Sequence, residues 1–446
     1  MKSLLLLALT FLSLSLCAQQ MVYTFYDEEQ TILKEKYETL TGDESSLNGK
    51  YIKYHLNGNV ATEGSFKNGY KSGVFKEYYE SGKLQREISF DNGNKQGPVK
   101  VYNEQGILLQ SAYFENNKLA DSLNLFFDNG KKRTEGYFKN DKPEGLLYEY
   151  YESGRVKREI HYEDGNQTGI TRTYYENGVL NTEGNYLNGV LNGYYKTYFP
   201  NGKIETTSSM DSGTQTGKFE NYDSLGNLLL TGTYKNGKLD GENLGYYPSG
   251  VLKHKYFYEE GKFAGTNIQY YENGNKEREV TTSKDGSNKS ITYYTQAGIK
   301  SKTESFSGDN PHGEWIYFDD EGYKIKSENY DLGRLNGQLT HYYKSGKIQR
   351  QVEYKYDYRF GNSTTYYETG EIESITPFRS DKQHGTFKKL NKKGTIIETG
   401  EYVGNRKVGN WNQYDETGKL ILTEVYKAGK LTETIVPPEE DKTEGN

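Results

Sequence analysis

The sequence predicts an all-β fold, an elongated array of tandem β-hairpins in an open or gently coiled antiparallel sheet. Three observations predict it. A glycine returns every 24 residues, sixteen times; aromatic side chains stand at fixed distances from it; and a turn-forming residue recurs about every 12 positions.

The repeat begins at Gly58 and steps through Gly82, Gly106 and Gly130 to Gly418 without an insertion or deletion. Positions below are counted from this anchor glycine. At −4 a ring stands in fifteen of the sixteen units, with Leu390 the exception, and at +8 in fourteen, with Met210 and Thr282 the exceptions. Positions +2 and −7 are mostly large and apolar, and −7 includes both tryptophans, Trp315 and Trp411. At +11 all sixteen residues are Gly, Asn or Asp, the types that best tolerate a positive φ. Each unit therefore reads as a strand, a tight turn such as Glu80 to Lys83, a second strand, and a longer turn such as Asn92 to Gly97.

Turn residues this frequent exclude long helices. Leucine-rich repeats would need a leucine ladder that is absent. A propeller blade needs four strands, hence two units, yet odd and even units do not alternate. An isolated hairpin is marginal in water, so each unit must lean on its neighbours in a quasi-one-dimensional array. Two strands per unit at the usual spacing advance the array by roughly 10 Å per repeat.

The segments around the array follow in order. Residues 1–18, MKSLLLLALTFLSLSLCA, read as a secretory signal peptide with cleavage after Ala18, which predicts a secreted or periplasmic, envelope-facing protein. Acylation at Cys17 is the alternative, although Leu16 is larger than the residue that usually precedes a lipidated cysteine. Residues 19–48 read as a degenerate N-terminal cap repeat, 49–432 as the repeat array, and 433–446 as a disordered C-terminal tail. No later stretch is apolar enough to predict a transmembrane helix.

Composition agrees with a thin, half-wet sheet. The 44 Tyr, 18 Phe and 2 Trp carry the apolar surface in a chain whose hydrophobic content is only 33%, and tyrosine suits a site with one dry end and one wet end. The net charge of −6 gives no global attraction to nucleic acid. The single cysteine lies inside the signal segment, so the mature chain is expected to hold no disulfide and no cysteine nucleophile.

The motif G-x-[WF]-x-x-Y-Y-x-x-G-x-L, seen in GVFKEYYESGKLQREISFDNGNKQG from Gly73 to Gly97, resembles the MORN-repeat family in its bacterial variant. The resemblance covers about 49–432. It implies an antiparallel sheet of hairpins that mediates protein interaction, scaffolding or, in some members, lipid contact, with no shared catalytic residues. Bacterial relatives of this type are often labelled antitoxin components, a role that a signal peptide fits poorly.

No constellation for chemistry stands out, and neither an enzyme nor a cofactor is expected. His55, His161, His254, His312, His341 and His384 occupy scattered phases and read as turn or surface histidines. Glu63, Glu87, Glu135, Glu159 and Glu183 share position +5; recurrence points to a structural ladder, since a catalytic pair need occur only once. The run Asp319-Asp320-Glu321-Gly322 lacks the alternating ligands of an EF-hand loop and reads as a turn. One departure stands out. Lys276, Lys300 and Lys324 replace the usual aliphatic at +2, and Arg278, Lys302, Lys326 and Arg350 follow at +4. Alternation would put both columns on one face as a basic stripe, either a site for an anionic partner or a solvated face paired with Glu279, Glu304 and Glu328. The same stretch carries Thr282, a shifted Asp285-Gly286 and Lys289, which marks it as the weakest part of the array and a candidate bend. The expected function is a non-catalytic extracytoplasmic scaffold for protein partners. The alternatives are glycan or cell-wall binding through exposed aromatic columns and, after that, an antitoxin-like role.

Overall fold

Turn chemistry sets the order of the elements. The computed structural model describes residues 19–40 and 43–438, and every regular element in them is a strand: forty strands, antiparallel where they pair, with no helix. They form an open sheet of tandem hairpins, as the glycine spacing predicts.

The two turns of each unit have the opposite sizes from those expected. The anchor turn is the longer one. Five residues, Tyr79 to Lys83, separate the strands Tyr70–Tyr78 and Leu84–Asp91, closed by Tyr79 N–H donating to Lys83 O at 2.9 Å and Gly82 N–H to Tyr79 O at 2.8 Å. The second turn has only two residues, Asn92 and Gly93, with φ of 45° and 80°. Paired positive φ at +10 and +11 recurs in fourteen of the sixteen units and is the turn whose twist matches that of the flanking strands. Gly97 lies inside the next strand, Asn94–Tyr102, at a φ of 100°, not at the end of a long loop.

Register shifts recur beside these glycines. Glu77 faces Arg86 but Tyr78 faces Leu84, so Gln85 is an extra residue on its strand. A second shift falls between Ile88 and Phe90, and five of the long strands break there into two pieces, as in Asn166–Gln167 and Gly169–Tyr174.

The chain divides into two compact units, residues 1–215 with 224–226, and residues 216–223 with 227–446. Among the described residues the first begins at the strand Gln19–Phe25, which pairs there only with Leu33–Leu40. Between them, Asp27 accepts the backbone N–H groups of Thr31 and Ile32, so the cap segment turns on an aspartate instead of a glycine. The second unit closes on Lys430–Ile435, paired with Leu420–Lys427. That last strand includes three residues assigned above to the tail. The signal segment and residues 439–446 lie outside the described residues.

Alternation gives the sheet a ring face and a tyrosine face. Every buried apolar side chain of the described residues stands at −7, +6 or +8, among them Phe75, Ile88, Val99, Phe219, Phe378 and Trp411. This is the ring face. In the first unit the rings of Tyr51, Phe66, Phe75 and Phe90 pack edge to face at centroid distances of 5.3–5.4 Å. In the second, Trp315 packs against Phe306 and Tyr330, and Trp411 against Phe387, Tyr402 and Tyr426. Lysines lid the column: Lys71 lies 4.7 Å from the Phe75 ring and Lys407 4.0 Å from that of Trp411. Room for Phe75 and Trp411 comes from glycine at +6. A Cβ on Gly64 would sit 2.6 Å from Phe75, and one on Gly400 would collide with Trp411.

Candidate functional site

The tyrosine face is held by hydroxyl groups. The −4 tyrosine lies diagonally across from the +5 residue of the unit before, and at several units its phenol donates to a glutamate there. Tyr78 donates to Glu63 at 2.5 Å, Tyr102 to Glu87 at 3.4 Å, and Tyr150 to Glu135. Tyr174 bonds Glu159 in the same way. The repeated glutamates thus form a ladder of tyrosine acceptors. Burial and the bond to Glu63 push the Tyr78 phenol up to about 12. Hydrogen bonds from Lys132 and Tyr150 hold the Glu135 carboxyl below its usual value.

A second tyrosine, at −3, has a role that the sequence reading missed. Its hydroxyl donates to the backbone carbonyl of residue −4 in the following unit: Tyr79 to Tyr102 at 2.8 Å, Tyr151 to Tyr174 and Tyr175 to Tyr198 at 2.7 Å, Tyr247 to Tyr270 at 2.8 Å, Tyr343 to Tyr366 at 2.7 Å. His55 occupies this position in the first repeat, and its Nε2 lies 2.9 Å from Tyr78 O. Where −3 is Asn or Asp instead, the side chain closes its own turn. Asp319 Oδ1 accepts the N–H groups of Glu321 and Tyr323, so the acidic run is a turn. The sequence signal was the Tyr-Tyr pair itself, of which only the first member had been given a purpose.

The basic columns do not share a face. Tyr294 pairs with Lys300 and Tyr293 with Lys302, and successive residues of a strand point to opposite sides. The bulge between the two pairs makes this so. The same register holds for Lys276 and Arg278 opposite Tyr270 and Gln269, and for Lys324 and Lys326 opposite Phe318 and Tyr317. Lys276, Lys300 and Lys324 therefore stand on the tyrosine face, and Arg278, Lys302, Lys326 and Arg350 on the ring face; no continuous stripe exists. The pairing with carboxylates does occur: Lys276 with Glu279 at 2.6 Å, Lys302 with Glu304, and Lys326 with Glu328 at 2.9 Å. Lys324 reaches Glu314 at 3.0 Å, Arg350 donates to Ser363 at 3.2 Å, and Lys300 is exposed. Arg278 is different: its Nε is shut off from solvent and has no hydrogen-bond partner.

Glu304 and Glu328 are buried on the ring face, at +6. Burial alone would raise the Glu328 carboxyl. Lys326, Tyr317 and Tyr330 donate to it, and together they hold it below its usual value. The histidines stay apart, and among the described residues no three His, Cys, Asp or Glu side chains gather as metal ligands would. Burial, with Lys253 nearby, lowers the His254 pKa; burial, with Lys326 and Arg350 nearby, lowers that of His341.

One stretch of the tyrosine face leaves apolar side chains open to solvent among Glu144, His161 and Glu163. In the first unit Tyr137 and Leu146 are about half exposed, at 50% and 48%, and Ile170 is 38% exposed. Leu146 pairs with His161, and Tyr137, Leu146, His161 and Tyr162 line one shallow recess.

A family model described as "MORN repeat variant" matches eight stretches: residues 47–68, 71–92, 143–164, 167–188, 191–211, 215–236, 239–260 and 335–356. No curated protein sequence matches the chain. Among solved structures, the chain is similar to the Tc holotoxin pore of Photorhabdus luminescens, at 11% identity over 89% of this chain and 25% of that one, with a TM-score of 0.15. It is also similar to a TcdB2–TccC3 structure lacking its hypervariable C-terminal region, at 10% identity over 90% of this chain and 25% of that one, with a TM-score of 0.14. The chain spans about a quarter of the length of these toxin-complex chains, and at such scores the likeness carries no argument.

Proposed function

We propose that this chain, which carries repeats of the MORN variant at eight positions, is a non-catalytic extracytoplasmic scaffold that binds a protein partner. The observation that carries the reading is the apolar row Tyr137, Leu146 and Ile170, left uncovered on the tyrosine face while the rings of the other face are packed away. Exposed apolar surface with a polar surround is where soluble proteins meet partners. The +5 glutamates and −3 tyrosines are engaged in holding hairpins together, which supports a structural role for the recurring polar groups. The glycan reading has less support, because among the described residues no ring at −4, −7 or +8 stands exposed: Phe75 and Trp411 are each 2% exposed and most of the others are half-buried.

Affinity capture from envelope extracts tests the reading, with the exported protein and its Leu146→Asp variant as baits. A reproducible protein partner retained by the first and lost by the second, at equal melting temperature, supports it. Retention of no protein, or of the same proteins by both, contradicts it. Export is checked separately, since the mature protein should begin at Gln19.

A further inference from the structure

The ring column has a gap in the second unit. Position −7 holds Asn267, and position +8 holds Thr282 where fourteen other units have a ring. Asn267 is buried and turns inward, accepting Phe257 N–H at 2.8 Å and donating to Ala264 O at 3.1 Å, so it does not fill the space that a ring would. What remains is a cavity of about 310 Å³ on the ring face, over the strands Leu252–Glu259 to Asn288–Tyr294. That volume lies at the small end of ligand pockets, enough for a body the size of one amino-acid residue.

Its lining is amphipathic and cationic. Tyr256, Phe263, Val280 and Ile291 supply apolar wall, Arg278 and Lys289 supply charge, and no carboxylate lines it. Elsewhere on this face Lys302 and Lys326 each have a glutamate. Arg278 has none; its guanidinium hydrogen-bonds the Tyr293 phenol and lies 5.7 Å from that ring, while its Nε is buried without a partner. A buried donor left unpaired is destabilising, and an incoming acceptor would relieve it. Lys289 is held by Asp309 at 2.9 Å, but that carboxylate is fully exposed, and such surface pairs are readily exchanged.

We propose that this cavity binds a carboxylate carried on an aromatic or aliphatic body of amino-acid size, the charge taken by Arg278 and Lys289 and the body by Tyr256, Phe263, Val280 and Ile291. The inference goes beyond the scaffold reading and does not depend on it, because the cavity belongs to the second unit and Leu146 to the first. The carboxylate could come from a free small acid or from the C-terminus of a peptide.

The test is calorimetric titration of the full chain with N-acetylphenylalanine, its neutral amide, and a hexapeptide ending in the same residue. The acid should bind at least about tenfold more tightly than the amide. Hexapeptide binding tighter than the free acid assigns the site to a peptide end; the reverse assigns it to a small metabolite-like acid. Thr282→Phe restores the ring that other units carry. It should fill the cavity, abolish binding and melt no lower than the parent. Arg278→Leu should also lose binding, whereas Lys300→Leu, at an exposed lysine outside the cavity, should keep it. Equal binding of acid and amide, or full binding by Thr282→Phe, overturns the proposal.

Discussion

The two units solve one problem in two ways. In the first, carboxylates stand at +5 on the tyrosine face, at Glu63, Glu87, Glu135, Glu159 and Glu183, half-buried and bonded to phenols. In the second, Glu279 keeps the +5 place, bonded to Tyr294 and Lys276, but Glu304, Glu328 and Glu424 stand at +6, one residue along and so on the ring face. There Glu304 and Glu328 are buried, paired with Lys302 and Lys326, and hydrogen-bonded to Tyr293 and Tyr317. The turns and rings that meter the repeat are untouched by this shift. A one-residue move therefore converts a half-wet ladder into a buried ion pair without altering the framework.

The largest expected effect tests that contrast directly. Glu328→Ala leaves Lys326, Tyr317 and Tyr330 without their shared acceptor and should cost about 2–4 kcal/mol in urea unfolding. Glu63→Ala strands one phenol on the wetter face and should cost about 1 kcal/mol. Equal costs would erase the distinction. Tyr79→Phe, which removes only the bond to the next hairpin's carbonyl, should cost about 0.5–1.5 kcal/mol. Lys300→Ala, at an exposed site, should stay within about 0.5 kcal/mol of the parent.

Titration sharpens the same comparison. The Glu328 carboxyl is held below its ordinary value of 4.5, so its contribution is present above that pH and is lost as pH falls through the folded value. Glu328→Gln should flatten the acid limb of stability below that pH. Tyr78 has the opposite sign. Its phenol is raised to about 12, so its contribution is complete below the ordinary value of 10.0 and is lost as pH climbs through about 12. Tyrosinate absorbance should show one phenol moving toward the ordinary value in Glu63→Gln.

Much of the fold was legible because glycine, asparagine and aromatic residues report local geometry directly. The sixteen anchor glycines all have positive φ, as their spacing implied. Turn size was misread because Gly93 and Gly97 were taken to bracket one loop, whereas Asn92-Gly93 is the turn and Gly97 bends a strand. The basic stripe failed for a related reason. Lys300 and Lys302 look alike in parity, and only the bulge residue between them, invisible to simple alternation, separates their faces. The hydroxyl of Tyr79 was illegible because its acceptor, a backbone carbonyl 23 residues on, carries no sequence signature.

The central claim is that each hairpin is held by its neighbours, so damage should spread locally and fade. Hydrogen exchange of Trp411→Ala, read peptide by peptide, tests it most directly; the substitution empties the space over Gly400 and should cost about 3–5 kcal/mol. Amides should lose protection from Lys382–Leu390 to Lys430–Ile435 and keep it in Tyr70–Tyr78 and Leu84–Asp91. Uniform loss of protection along the whole chain would contradict the account.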